Sequence, residues 1–429
     1  MIYNRILGWA MLALCAASAL AAEPAGRSAL VQLSELEGLA VRRTEAAGAR
    51  ARLPLADPVG TYASLEPAAS GRIPNYLRVF AVMPQGAGPF ASLIRTFLFG
   101  GTVSPQTKLA MGLRISQVNR SPYAAIHLTR LLRAMPDGAG RLAALRNGNL
   151  SQLPAGDQQA LRYAELLTLD VHGITDRHFA NTRQYFNDSQ MVELTMVVCL
   201  FNYFTRFSEA LNLPVEPWVL DPQSKPAIPK IERSELTRSR IGLISDEEMR
   251  AVVAADTAAK DPATRQTGLG LTLANSQRAM MRVPDLQAAW RNYGAAVRSD
   301  SKIGREMQLQ VSLAVSMANG CRYCTVHQIV GLRRQGVDPG KLLSMRKDDS
   351  ALTSRELAAV RFARQLTVGP ASITDPDFQA LRKEFGDYGA LEVVLQTGAF
   401  SFMNRFTDNL RLPSEDEAIH VYRSVFGEK

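Results

Sequence analysis

Two cysteines and a histidine stand close together in the stretch Leu313 to Gln328, LAVSMANGCRYCTVHQ: Cys321, Cys324 and His327. The C-x-x-C spacing permits a reversible disulfide. If Cys321 to His327 opens a helix, the i, i+3 relation sets both sulfurs and the imidazole along one side. A helix N-terminus stabilises a thiolate, and C-x-x-C thiols in such places titrate at about 3.5 to 7.5 instead of about 8.5. His327 then stands where it can move a proton to or from Cys324. The same residues also fit a plain structural disulfide, half of a zinc site or a haem-attachment motif. Haem attachment needs histidine directly after the second cysteine, and Thr325 is there. Zinc needs a further ligand beyond the two sulfurs and His327, so neither a cofactor nor a metal is expected. The structural disulfide remains, although the loop it closes is too short for much entropic stabilisation.

The elements that must position these residues are helices. Between breakers, nearly every segment repeats its apolar residues at helical spacing, as in Leu309, Leu313 and Met317 or Leu391, Val394 and Leu395, while alternating strand-like runs are scarce. Ser245 with Glu248 and Thr353 with Glu356 have the spacing of capping boxes. The helices also fall into two sets. Asn75, Arg78, Pro84, Phe90, Leu113, Ser116, Asn119, Tyr123 and His127 recur 200 positions later as Asn275, Arg278, Pro284, Trp290, Leu313, Ser316, Asn319, Tyr323 and His327. A second block, from Ala164 through Leu213-Pro214, recurs 199 positions later, from Ala363 through Leu412-Pro413. Agreement at so constant an offset is the mark of an internal duplication, and the fold expected is all-α, two helical modules in tandem. The copies differ where chemistry is expected: Cys321 answers to Ser121 and Cys324 to Ala124, while the tyrosine and histidine are kept. Since His127 has no thiol to serve, His327 is also readable as a buried hydrogen-bonding element.

The remaining chain gives context. Arg5, the apolar run Ile6 to Ala17 and the small residues Ala19-Leu20-Ala21 read as a signal peptide over 1–22, which implies a periplasmic or secreted protein without stable membrane insertion. A helical arm is expected within 23–60, a first module over 61–215, a proline-rich linker over 216–240 and a second module over 241–429. Cys199, in the apolar run Met196 to Phe201, reads as a small buried hydrophobe. A net charge of +9 is spread among acids without a basic stripe, which argues against nucleic acid as a partner.

Asn319-Gly320-Cys321-Arg322-Tyr323-Cys324, with the distal Phe402, Asn404, Arg405 and Phe406, resembles the carboxymuconolactone decarboxylase and alkylhydroperoxidase D-like superfamily. The first module resembles it through Ile115 to Tyr123. The resemblance implies an all-helical fold, homo-oligomers, and thiol-dependent reduction of peroxides by an electron donor that the sequence does not name. Carried over, Cys324 attacks the peroxide and Cys321 resolves the sulfenic acid. The superfamily's histidine position is held by Gln328, with His327 one step earlier, and its glutamate position by Leu309, with Glu306 one turn away. Tyr323 and Asn319 complete the expected supporting set. A binding protein whose disulfide is only a staple is the alternative.

Overall fold

The computed structural model describes residues 30–45, 50–56, 72–221 and 274–427. The expected signal peptide, most of the proline-rich linker and the capping box at Ser245 lie outside these residues. Among the described residues the secondary structure is entirely helical, and no helix is long and apolar enough to cross a membrane.

The first set comprises α1 (Leu33–Glu45), α2 (Asn75–Arg78), α3 (Pro84–Phe99), α4 (Pro105–Asn119), α5 (Pro122–Arg133), α6 (Gly138–Arg146), α7 (Ala155–Leu169), α8 (Asp176–Arg183), α9 (Asp188–Ala210) and α10 (Pro217–Leu220). The second comprises α11 (Asn275–Met280), α12 (Pro284–Arg298), α13 (Gly304–Ala318), α14 (Arg322–Arg334), α15 (Pro339–Lys347), α16 (Ser354–Val368), α17 (Asp375–Asn409) and α18 (Asp416–Phe426). From α2 to α7 and from α11 to α16 the order of helices is the same. Gly386, at φ 64° and ψ −176°, breaks α17 into two segments that answer to α8 and α9.

Helix starts follow local chemistry. Pro84, Pro105, Pro122, Pro217, Pro284 and Pro339 stand in first turns, where a missing N–H leaves nothing unpaired. Thr353 and Glu356 form the expected capping box of α16. Helix α1 is a packed element: Leu33, Leu36 and Ala40 are buried, while Arg43 pairs with Glu209 at 3.0 Å.

The two sets share one hydrophobic core. Helix α9 lies along α17, and α3 lies along α12, so helices meet their own counterparts, as across a two-fold axis. Phe90, Tyr203, Tyr293 and Phe402 are buried in one cluster. Phe90 stands 5.1 Å from the Tyr293 ring, and Phe402 stacks on Trp290 at 4.1 Å. Polar bridges cross the same seam: Tyr203 to Tyr293 at 2.5 Å, and Arg206 to the Thr367 carbonyl at 2.9 Å. Cys199 is fully buried in this core, and burial raises its thiol pKa far above the ordinary value.

Candidate thiol site

Helix α13 ends at Ala318, and Gly320 turns the chain at φ +69° into α14. Arg120 takes the equivalent left-handed turn in the first half, at φ 53°. Cys321 is the N-cap of α14, and its Sγ accepts the N–H of Cys324 at 3.3 Å. Both sulfurs lie 3.4 Å from the Thr407 hydroxyl on α17, and both are free thiols. They are enclosed, with Cys321 0% and Cys324 3% exposed, and Phe400, Met403 and Leu412 pack over them. Burial, reinforced by Cys324, holds the Cys321 thiol well above its ordinary value. In the first half Ser121 and Ser208 stand at the places of Cys321 and Thr407, 3.3 Å apart.

The supporting residues divide into those at the site and those elsewhere. Asn319 donates to Asn404 at 2.8 Å, tying the turn to α17, and Arg405 is buried on the same helix. His327 turns both ring nitrogens away from the sulfurs: Nδ1 lies 2.6 Å from the Tyr323 carbonyl and Nε2 lies 2.5 Å from Glu415. Because the carbonyl can only accept, Nδ1 carries a proton. This is the structural use of the imidazole, and His127 has the same one against Glu216 at 2.9 Å. His327 therefore does not join the sulfurs in a ligand set, and among the described residues no three such side chains converge to hold a metal ion. Gln328 is buried in α14. Glu306 is not brought to the thiols; it pairs with Lys341 at 3.4 Å and accepts from Gln310 at 3.0 Å.

Glu415 is one residue that sequence reasoning missed. Its carboxylate receives the Asn275 N–H at 2.7 Å and the Tyr323 hydroxyl at 3.2 Å as well as His327. Burial alone would raise its pKa, but these partners outweigh burial and hold it below the ordinary value. The Tyr323 ring stacks on His327 at 4.2 Å. Glu216 repeats the arrangement, accepting from Asn75, Tyr123 and His127. Hence Glu216, assigned from the sequence to the start of a linker, is buried structure. The available signal was the repeat itself: Glu216 and Glu415 each stand two residues past the matched Leu-Pro pairs.

The first half also reaches the thiol turn directly. His172, in the loop between α7 and α8, donates from Nε2 to the Asn319 carbonyl at 2.8 Å. A Cβ on Gly320 would lie 3.2 Å from that same nitrogen. Gly320→Ala is therefore expected to lose about 1–2 kcal/mol from the left-handed turn, read as a lower urea midpoint with unchanged slope. Beside the turn lies a cavity of about 410 Å³, lined among others by His172, Arg322, Tyr323, Thr407, Asp408 and Arg411.

Residues 284–365, which span α12 to α16 and contain both thiols, match the carboxymuconolactone decarboxylase family. Among solved structures, the chain is similar to a variant of the debrominase Bmp8 in complex with 2,3,4-tribromopyrrole. That likeness has 22% identity and a TM-score of 0.36, and covers 40% of this chain and 93% of the other. It is similar also to an uncharacterized peroxidase-related protein from Silicibacter sp. TM1040, at 20% identity and a TM-score of 0.35, covering 42% of this chain and 90% of the other. No curated protein matches.

Proposed function

From the match of residues 284–365 to the carboxymuconolactone decarboxylase family, we propose an exported thiol oxidoreductase that reduces hydroperoxides with Cys324 and Cys321. The observation that supports this most is the seating of both sulfurs on the one Thr407 hydroxyl, 3.4 Å from each, at the start of a helix. Sulfurs gathered in this way can close on each other with little movement of the backbone.

In the proposed cycle the Cys324 thiolate attacks one peroxide oxygen. The O–O bond breaks, the alkoxide takes a proton and leaves as alcohol, and Cys324 holds a sulfenic acid. Cys321 then attacks that sulfur, water leaves, and a disulfide remains. An external dithiol returns two electrons and two protons. The cavity beside Thr407 and Tyr323 is the route by which substrate approaches. The two halves read as copies of one ancestral module, of which only the downstream copy has the thiol pair.

Reduced full-length protein, supplied with a dithiol, is expected to consume tert-butyl hydroperoxide, and Cys324→Ser to abolish the consumption. Equal turnover by the variant would refute the proposal. The near-complete burial of both sulfurs favours the staple as a second reading. The two separate by reduction potential: a staple lies below roughly −300 mV, a working redox couple above it.

A further inference from the structure

We infer that Asp408 is the acceptor of the Cys321 thiol proton, and so determines that Cys321 waits while Cys324 attacks. The inference deepens the proposed peroxide chemistry and rests on it for its use, but it is read from the thiols alone.

The geometry comes from both halves. Asp408 stands next to Thr407, whose hydroxyl lies 3.4 Å from the Cys321 sulfur, and is near enough for its charge to act on the Cys321 thiol. Its Oδ2 is buried without a partner, which is an incomplete arrangement for a carboxylate. In the first half Ser121 stands at the place of Cys321 and Glu209 at the place of Asp408, and there the hydroxyl donates to the carboxylate at 2.8 Å. The acid that receives a hydroxyl proton in one half thus faces a thiol in the other. Glu209 is also held by Arg43 at 3.0 Å, whereas Asp408 opens onto the cavity that His172, Arg322 and Arg411 line.

Other charges face Asp408. His172 and Arg405 both favour its ionised form, while burial, the larger effect, raises its pKa. Its charge in turn raises the pKa of Cys321. A thiol beside a negative charge is kept protonated, hence a poor nucleophile. Its proton has somewhere to go when it is needed. As Cys321 attacks the Cys324 sulfenic acid, the S–S bond forms and the Cys324 S–O bond breaks. The Cys321 proton passes to Asp408 and then to the departing hydroxide, which leaves as water.

Alkylation of the reduced protein by iodoacetamide at pH 7 tests this, since only thiolates react, and peptide mass spectrometry separates Cys321 and Cys324 from Cys199. No peroxide is present, so failure of peroxide reduction leaves the result readable. In the wild type, Cys324 is expected to react about tenfold faster than Cys321. Asp408→Asn is expected to raise the Cys321 rate relative to Cys324 by about tenfold, and Asp408→Glu to keep the wild-type ratio. A wild type in which Cys321 reacts as fast as Cys324 overturns the inference. So does a folded Asp408→Asn protein with an unchanged ratio. Should Asp408→Asn fail to fold, the wild-type order and the Asp408→Glu ratio decide.

Discussion

Glu216→Ala is expected to destabilise the protein by about 3–5 kcal/mol, because it strips the acceptor from two buried donors and a half-buried one. The Tyr123 hydroxyl donates to Glu216 at 2.8 Å and His127 lies 2.9 Å from it, and the Asn75 N–H donates to the same carboxylate. The side chain of Glu216 is 3% exposed, that of Glu415 21%, so Glu415→Ala is expected to lose less, water replacing part of what is removed. Urea unfolding of both variants checks the order. Acidity provides a second check. Burial on its own would raise the Glu216 carboxyl, but His127 and the backbone donors outweigh burial and hold it below the ordinary 4.5. A depressed carboxyl contributes stability that is complete above its unfolded value and is lost as pH falls through its folded value. The wild type should therefore lose stability below about pH 4.5 through this group, and Glu216→Ala should lose less over the same interval.

That carboxylate also shows where a sequence stops being readable. Helices, their caps and the buried Cys199 follow from spacing and residue type, which are local properties. The repeat made the two halves visible, and Ser121 against Cys321 marked where they diverge. Glu415 is 92 residues from Tyr323, and in the first half its counterpart opens a proline-rich stretch whose composition suggests a surface linker. Histidine four residues after tyrosine resembles a catalytic pair as much as a structural one; only the direction of its nitrogens, toward Tyr323 and Glu415, separates the two. His172 was beyond reach altogether: it joins the first half to the thiol turn of the second, and the repeat puts Ala371 at its counterpart position, so no recurrence marks it. Asp408 was hidden for a similar reason, as it conserves only an acid and not a residue type.

The opposite end of the helices that carry these turns gives the other large effect. Lys108 on α4 is wholly buried and paired with Glu193 of α9, itself wholly buried, and Lys108 Nζ donates to the Gly100 carbonyl at 2.6 Å. Glu193 also accepts the N–H groups of Thr102 and Val103 at 2.8 and 3.1 Å, closing the entry to α4. Lys108→Met is expected to destabilise by about 3–5 kcal/mol, because it leaves a buried carboxylate without its counter-charge. The second half indicates a milder substitution. There Gln308 takes the place of Lys108 and donates to Ser301 at 3.0 Å, while Glu392 accepts from Lys302 and Ile303 at 2.7 and 3.1 Å and burial raises its pKa. Lys108→Gln should therefore lose less than Lys108→Met. The pH dependence identifies the cause. With the lysine gone, a buried carboxylate is left without its counter-charge, and that cost is least where the carboxyl can take up a proton. Lys108→Met should thus lie closer to the wild type at pH 5 than at pH 7 in urea titrations. A loss equal at both would mean that the missing hydrogen bond to Gly100, rather than the stranded charge, is what the fold had relied on.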